Sequence, residues 1–273
     1  MSDQTPAPPP NPLDLYRLAV QHPLAEVDFI EKAWGHYRGA ESEPVLLRED
    51  FAGTAAVAAA WVQSGRGAEP TRRAFAVELD PVTATWAQDT WCELGPDLQI
   101  YISDVIEMHT APADVTVALN FSVLIYHDQA ALLGYLRHAR AMLDERGLLI
   151  LDLFGGSGSR VAQARRIQTR RIVPDEGAFD PFDYAWEQRE YDPMTEKIDC
   201  RIHFTLADGM ELNDVFVYDW RLWRPEAVIE LARQAGFQQA ELWADTPDQP
   251  GRYVPLARDP VAEDWVGYLV CAV

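Results

Sequence analysis

Residues 45–55, Val-Leu-Leu-Arg-Glu-Asp-Phe-Ala-Gly-Thr-Ala, decide the fold. Their apolar start predicts a buried strand that leads to the carboxylate Glu49, and the small residues that follow predict a tight turn. The apolar run at 56–62 then predicts a helix. A strand, a turn and a helix in this order form a nucleoside-sized pocket at the carboxyl end of the first strand of an open α/β sheet. In such a pocket the amino terminus of the helix faces the ligand.

The turn has one glycine where a dinucleotide-binding fingerprint has three. That fingerprint spaces its glycines so that the backbone can approach a pyrophosphate. The corresponding positions here are Phe51, Gly53 and Ala55. A carboxylate before a turn with a single glycine favours a cationic ligand without phosphate over NAD.

Polar residues also follow the other predicted strands of this sheet. The strands are predicted at 75–79, 98–102, 115–121 and 147–154. The polar residues in or just after them are Glu78, Asp104, Asn120 and Asp152. Because the carboxyl ends of parallel strands lie along one edge of a sheet, these side chains and Glu49 predict a ligand crevice at that edge.

From about residue 14 to residue 273 the chain resembles class I S-adenosylmethionine-dependent methyltransferases. The first motif of that family reads acid-x-Gly-x-Gly-x-Gly. Glu49 matches the acid and Gly53 matches the middle glycine, whereas Phe51 and Ala55 depart from the pattern. The resemblance implies a Rossmann-like, doubly wound α/β fold with a mostly parallel, seven-stranded sheet. A helix after Arg224 and strands at 237–244 and 265–272 resemble the closing helix and antiparallel hairpin of the family.

The same resemblance implies S-adenosyl-L-methionine as the cofactor and S-adenosyl-L-homocysteine as the product. It places Glu78 at the ribose hydroxyls, and Asp104 and Val105 at the adenine. The candidate cofactor-binding residues are Tyr16, Glu49, Ala52, Gly53, Thr54, Glu78, Leu79, Asp104, Val105, Asn120 and Phe121. Structural roles stay open for three of them: a loop cap for Glu49, a turn or helix cap for Asp104, and a core position for Tyr16.

The chain is predicted to have four parts. They are a proline-rich, disordered tail (1–12), a cofactor-binding α/β core with amino-terminal helices (13–154), an inserted substrate cap (155–223), and a helix and hairpin that complete the core (224–273). Within the cap, the sequence predicts a glycine-rich turn, an arginine-rich helix, and three antiparallel strands at 184–191, 197–206 and 211–223. In small-molecule methyltransferases an insertion at this place covers the acceptor.

The acceptor site is less specific in the sequence. His127 and Tyr126 are candidate catalytic residues, although His127 also suits a cap of the helix that begins near Asp128. The candidate substrate-binding residues are Tyr184, Trp186, Arg221 and Trp223. Aromatic side chains on the cap favour an amine or sulfonium acceptor, arginines among them leave a carboxylate-bearing acceptor open, and aromatic residues also simply fill the underside of a small sheet.

The expected reaction is an in-line displacement that moves a methyl group to nitrogen, oxygen or sulfur of a small molecule. It requires no metal, and the Asp/Asp-Asn set of metal-dependent O-methyltransferases does not occur at the fourth and fifth strands. Two alternatives stay open. One is an NAD(P)-dependent oxidoreductase, which would need the missing phosphate-binding glycines. The other is a non-catalytic nucleoside-binding protein.

Composition limits the partners. The net charge of −20 disfavours nucleic acid and anionic membranes, which require basic surface. The cluster Arg160, Arg165, Arg166, Arg170 and Arg171 is interpreted as a solvated helix face, and a position facing an anionic part of the substrate stays open. Three scattered cysteines form no disulfide framework, and no apolar run has the length of a membrane span. A cytoplasmic protein is expected, and a homodimer stays open.

Overall fold

The computed structural model describes residues 10–39, 41–67, 69–162, 165–174, 179–246, 249–256 and 264–273. Its α-helices are α1 (Pro12–Val20), α2 (Pro23–Arg38), α3 (Ala56–Ser64), α4 (Pro81–Thr90), α5 (Gln129–Ala141) and α6 (Pro225–Ala235). Short 3₁₀ segments lie at Cys92–Asp97, Ser122–Ile125 and Gly158–Arg160. Of the predicted tail, residues 1–9 lie outside the described residues, and Pro12 already begins α1.

The strands form two sheets. They are β1 (Leu46–Asp50), β2 (Arg73–Glu78), β3 (Leu98–Ile102), β4 (Ala113–Ala118), β5 (Leu143–Gly155), β6 (Arg166–Ile172), β7 (Phe182–Asp192), β8 (Lys197–Thr205), β9 (Glu211–Arg221), β10 (Gln239–Thr246), β11 (Gln249–Pro255) and β12 (Trp265–Ala272).

The larger sheet has eight strands in the order β11-β10-β12-β5-β4-β1-β2-β3. Strands β1 to β5 run parallel, and β12 lies antiparallel between β5 and β10. This arrangement confirms the predicted Rossmann-like fold class. The eighth strand, β11, was not predicted. Among the described strands it pairs with β10 alone, and such an edge strand tolerates the proline and glycine that weaken a strand signal.

Helices cover both faces of this sheet because its central strands are apolar on both sides. Helices α2 and α3 pack on one face through Ile30, Trp34 and Trp61. On the other face, α5 and α6 pack through Leu136 and Leu231. Within the described residues, no helix is both long and apolar enough to cross a membrane.

The inserted cap is a four-stranded antiparallel sheet in the order β6-β7-β8-β9. The prediction of an arginine-rich helix before the three strands was wrong, because this segment contains the edge strand β6, which pairs with β7. Pairing with a neighbouring strand therefore overrides the local sequence pattern. Arg166, Arg170 and Arg171 lie on β6 rather than on a helix face.

Helix α1 packs against the cap. Leu15 and Ala19 of α1 form one buried cluster with Phe182, Ile202 and Phe204 of the cap. Helix α1 and the inserted cap therefore pack together, and both line the same cavity. The predicted domain boundaries stay a prediction.

Candidate active site

The turn between β1 and α3 takes a left-handed backbone at every position of the glycine pattern. The φ angle is 55° at Phe51, 54° at Gly53 and 53° at Ala55. A residue with a Cβ costs about 1–2 kcal/mol in this conformation. Packing offsets part of that cost, because the Phe51 ring lies 5.4 Å from the ring of Tyr135 and 6.2 Å from that of Tyr126. The turn therefore keeps a left-handed backbone at all three positions of the glycine pattern, although two of them are not glycine.

Glu49 caps helix α3. Its Oε2 accepts a hydrogen bond of 2.8 Å from the backbone N–H of Ala58, in the first turn of the helix. Burial raises the pKa of the Glu49 carboxyl to about 8. The structure therefore gives Glu49 the capping role that the sequence left open, and a contact with the cofactor stays a prediction.

Glu78 holds two backbone amides at the edge of the crevice. Its Oε2 accepts from the N–H of Gly53 at 2.7 Å, and its Oε1 accepts from the N–H of Asp80 at 2.8 Å. Each carboxylate oxygen has a further lone pair for a ligand hydroxyl. The apolar side chains of Leu79 and Ile102 lie exposed beside it, at 66% and 50%. A carboxylate next to an exposed apolar surface suits a ribose that carries a flat base.

Asp104 and Val105 lie in the connection after β3. The Oδ1 of Asp104 accepts from the N–H of Ile106 at 3.1 Å, which is a local turn. The carbonyl of Val105 accepts from Nη2 of Arg48 at 2.9 Å. This hydrogen bond attaches the connection after β3 to β1. The sequence analysis did not identify it.

Arg48 is a fully buried charge under the crevice. Its Nε donates to Oδ1 of Asp50 at 2.7 Å, and its Nη1 donates to the carbonyl of Met108 at 2.9 Å. The hydroxyl of Tyr135 donates to the other Asp50 oxygen at 3.1 Å. Because Arg48 and Asp50 are two residues apart on a strand, their side chains share one face. That spacing was the available signal in the sequence.

Asn120 and Phe121 turn the chain at the end of β4. Both have left-handed backbones, with φ of 57° and 60°. The N–H of Phe121 donates to Oδ1 of Asp152 at 2.7 Å. Burial raises the pKa of the Asp152 carboxyl well above its usual value.

The amino-terminal helices are attached to the cofactor turn. The Thr54 hydroxyl donates to the amide oxygen of Gln21, in the connection between α1 and α2. The indole of Trp91 donates to the carbonyl of Thr54 at 2.8 Å. Ala52, in the same turn as Thr54, is also buried. Tyr16 is hydrogen-bonded to Tyr218 of the cap.

A cavity of about 700 Å³ lies between the cap, helices α1 and α2, and the ends of β4 and β5. The aromatic residues in its wall include Tyr16, Phe154, Tyr184, Trp186, Tyr218 and Trp220. Asn120 and Phe121 also line it, so the cavity reaches the end of β4. Of the predicted substrate-binding residues, Tyr184 and Trp186 line the cavity.

Arg221 and Trp223, the other predicted substrate-binding residues, are not among the described residues that line this cavity. The Arg221 guanidinium stacks 4.0 Å from the Trp223 ring centroid and donates to the carbonyl of His127 at 2.9 Å. The Trp223 indole donates to the carbonyl of Tyr126 at 3.0 Å. These residues attach the last cap strand to the corner before α5.

His127 and Tyr126, the predicted catalytic residues, lie at that corner and are likewise absent from the described cavity wall. Nε2 of His127 is 2.9 Å from the carbonyl oxygen of Asp219, so this nitrogen carries a proton and donates it there. Burial raises the pKa of the Tyr126 hydroxyl above its usual value, which disfavours a phenolate base. The helix cap beside them is Asp128, whose Oδ1 accepts from the N–H of Ala131 at 2.8 Å.

Glu26 lines the cavity although the sequence analysis did not name it. It lies in the first turn of α2, where an acid is ordinary. Its Oε2 accepts from the hydroxyl of Tyr268 at 2.8 Å. Burial raises the pKa of the Glu26 carboxyl to about 7. No sequence signal could have joined two residues so far apart in the chain.

Three cap residues, Glu187, His203 and Asp214, place potential metal-ligand atoms within 4.8 Å of one another. Burial alone would raise the pKa of the Glu187 carboxyl. Hydrogen bonds from Arg165, Arg189 and His203 outweigh this effect and lower the pKa to about 2. Nδ1 of His203 accepts from the backbone N–H of Asp214 at 3.0 Å, and Nε2 lies 2.9 Å from Glu187. Both ring nitrogens have protein partners, so the group is a network of ion pairs.

No family model matches the sequence, and no curated protein matches it either. Solved structures do match. The CcbJ methyltransferase from Streptomyces caelestis has a TM-score of 0.67 at 15% identity, over 96% of this chain and 96% of that chain. A S-adenosylmethionine-dependent methyltransferase from Clostridium acetobutylicum ATCC 824 has a TM-score of 0.65 at 15% identity, over 94% and 96%. CalS10 of Micromonospora echinaspora, an amino pentose methyltransferase, has a TM-score of 0.63 at 15% identity, over 95% and 94%.

The chain has the class I methyltransferase fold. The order of strands in this methyltransferase fold changes direction between β1 and β4. Ligands of open α/β sheets bind at such a switch point, outside the carboxyl ends of the strands. Gly53, Asp104 and Asn120 follow β1, β3 and β4 at that edge, and Glu78 is the last residue of β2. The methyltransferase fold thus gathers the strand-end residues there, and the capped cavity opens beside them.

Proposed function

We propose that the protein is a S-adenosylmethionine-dependent methyltransferase that acts on a small molecule. One observation carries the proposal: the cavity beneath the cap reaches Asn120 and Phe121, at the same strand edge as the turn around Gly53. A cofactor in the crevice would therefore meet an acceptor held under the cap. The acceptor atom is nitrogen, oxygen or sulfur.

The proposed cofactor contacts follow from the site. Glu78 would accept hydrogen bonds from the ribose hydroxyls, and Leu79 would pack against the adenine. Asp104 would accept from the adenine amino group, next to the backbone of Val105. Each charge-assisted hydrogen bond of this kind contributes about 1.5–3 kcal/mol.

Catalysis would rest on position and on the exclusion of water. The sulfonium supplies a good leaving group. The aromatic residues of the cap would hold the acceptor in line with the methyl carbon. Helix α1 and the cap would exclude water from the site. Asn120, at the meeting point of crevice and cavity, would orient the two ligands.

The proposed partner is a small molecule because the cavity of about 700 Å³ is of ligand size. A nucleic-acid partner is disfavoured by the net charge of −20. All three cysteines are free, which fits the proposed cytoplasmic location. The oxidoreductase alternative is not favoured, because the turn has no glycine at Phe51 or Ala55.

Calorimetric titration with S-adenosylmethionine, S-adenosylhomocysteine and NAD, each run separately, tests the proposal. We expect micromolar binding of both adenosyl ligands and no binding of NAD. Product formation over a panel of amine, phenol and thiol acceptors then separates an enzyme from a protein that only binds. Binding of NAD alone would overturn the assignment.

Trp186→Ala is expected to lower kcat/KM for the acceptor roughly tenfold or more, because the ring forms part of the cavity wall and its centroid lies 5.8 Å from that of Trp220. The affinity for S-adenosylmethionine should change less than about twofold, since the ring lies on the cap. Steady-state kinetics and calorimetry measure the two effects. Met194→Ala, at a cap residue that is 92% exposed, is the matched control.

A point substitution is a cleaner test than deletion of the cap. Deletion would uncover Leu15 and Ala19, which pack against buried cap residues. If Trp186→Ala left turnover unchanged, the acceptor would have to bind elsewhere.

A further inference from the structure

Two carboxylates in the cavity wall have no ion-pair partner within the part of the chain that the structure describes. Asp152 is buried and accepts from the backbone N–H of Phe121 at 2.7 Å. Glu26 is half-buried and accepts from the hydroxyl of Tyr268 at 2.8 Å. Tyr268 pairs directly with Asp152 across β12 and β5, so the two acids flank one tyrosine. Both carboxyl side chains line the cavity that would hold the acceptor.

The arginines of the cavity wall already have partners. Arg166 forms a two-point ion pair with Asp264, at 2.6 Å for its Nη1. Arg170 donates to the carbonyl of Ala19 and lies 5.1 Å from the ring centroid of Tyr184. The arginines that the sequence placed among the cap aromatics are also engaged, since Arg189 donates to Glu187 and Asp214. Within the described part of the chain, Arg166 is thus paired with a carboxylate and Arg170 is held by a carbonyl and a ring, whereas no ion pair joins Glu26 or Asp152 to a cation.

The cap wall adds aromatic faces. Tyr218 and Trp220 stack at 4.3 Å between centroids, and Trp186 lies 5.8 Å from Trp220. The face of an aromatic ring attracts a cation. Aromatic faces on one side and carboxylates on the other form a site for a positively charged group.

We propose that the acceptor is a primary or secondary amine that enters the cavity as an ammonium ion, and that Glu26 accepts its proton. This inference rests on the proposed function and names the substrate class of the same site. An acceptor that carried a carboxylate or phosphate would instead face the carboxyl groups of Glu26 and Asp152, neither of which offers it a cation.

The reaction balances with these groups alone. The N–H bond of the ammonium breaks, and the proton forms an O–H bond on the Glu26 carboxylate. The freed nitrogen pair forms the bond to the methyl carbon, and the pair of the carbon–sulfur bond stays on sulfur as the thioether of S-adenosylhomocysteine. The product is a methylated ammonium ion, and Glu26 then releases its proton to solvent.

The surroundings of Glu26 suit it to this role. Burial raises the pKa of its carboxyl to about 7, so the carboxylate and its acid are both accessible near neutral pH. The titratable groups around it are Glu49 on β1, Asp152 on β5, Tyr253 on β11 and Tyr268 on β12. The other charged or titratable groups in the cavity wall are Tyr16, His22, Arg166, Arg170, Tyr184, Tyr218, Asp245 and Asp264.

The first experiment uses probes of one shape and different charge. The full chain, saturated with S-adenosylhomocysteine, is titrated with benzylamine, benzyl alcohol and benzoate. We expect benzylammonium to bind roughly tenfold or more tightly than the other two. Glu26→Gln should remove most of that preference while leaving the affinity for benzyl alcohol within about twofold. Asp28→Asn, which removes one charge from the exposed face of the same helix, should leave the preference intact.

The second experiment follows methyl transfer to benzylamine against pH. For the wild-type chain, kcat/KM should fall on the acid side with a midpoint at or below the Glu26 pKa of about 7, because the sulfonium favours the carboxylate. Glu26→Gln should abolish this limb. Tyr268→Phe removes a hydrogen bond that lowers the Glu26 pKa, so it should move the limb to higher pH.

The outcomes separate the two proposals. If S-adenosylhomocysteine does not bind, the proposed function fails. If it binds but benzylammonium is not preferred, or if Glu26→Gln retains both the preference and the acid limb, the inference about the acceptor fails alone. Unchanged affinity of Glu26→Gln for S-adenosylhomocysteine shows that the variant is folded.

Discussion

Glu78→Ala is expected to weaken S-adenosylmethionine binding at least roughly tenfold. The substitution removes the proposed acceptor of the ribose hydroxyls and also releases the amides of Gly53 and Asp80, which Glu78 holds at 2.7 and 2.8 Å. Loss of a single charge-assisted hydrogen bond already amounts to about 1.5–3 kcal/mol. Calorimetric titration of the variant measures the effect.

The control for Glu78→Ala is Glu107→Ala. It removes an equal charge from an exposed position in the connection after β3, and we expect a change below about twofold. The difference between the two variants isolates the local contacts of Glu78 from the general field of a protein with a net charge of −20. Unchanged affinity in Glu78→Ala would remove Glu78 from the cofactor site.

Arg48→Met is expected to lower the free energy of unfolding by about 3–5 kcal/mol. The substitution leaves the buried carboxylate of Asp50 without its cation. It also leaves the carbonyls of Val105 and Met108 without their donor. Denaturant unfolding measures the loss, and Arg171→Met, in a surface pair with Asp183, is the control with a loss of about 1 kcal/mol or less.

The double variant Arg48→Met/Asp50→Asn sharpens this test. Once both charges are removed, no uncompensated charge stays buried, so the double loss should be smaller than the sum of the single losses. Additive losses would show that the pair does not act as a unit. A small loss for Arg48→Met alone would contradict the buried-charge account.

The sequence predicted the central strands from short apolar segments such as 74–77 and 148–151, which are typical of strands covered on both faces. The strand-end residues Glu78, Asp104 and Asn120 followed from this topology. The edge strands β6 and β11 were missed. Strand β6 has mostly exposed side chains, and its identity depends on pairing with β7, which no local pattern shows.

The cavity was harder to predict than the crevice. Arg221 and Trp223 alternate with true cavity residues along the cap, but their contacts with His127 and Tyr126 join distant parts of the chain. Glu26 and Tyr268 meet across nearly the whole sequence. The sequence shows which residue types are present, but only the folded structure shows which of them line the same cavity.

The residues Phe51 and Ala55 restrict the conformational freedom of the turn between β1 and α3, although their backbone is left-handed. Glycine has the largest conformational freedom of any residue, and a turn built from three glycines loses that freedom when a ligand orders it. Phe51 is instead held by its packing on Tyr135, and Ala55 is fully buried. The turn is therefore preorganised, and less conformational entropy is lost when a ligand binds.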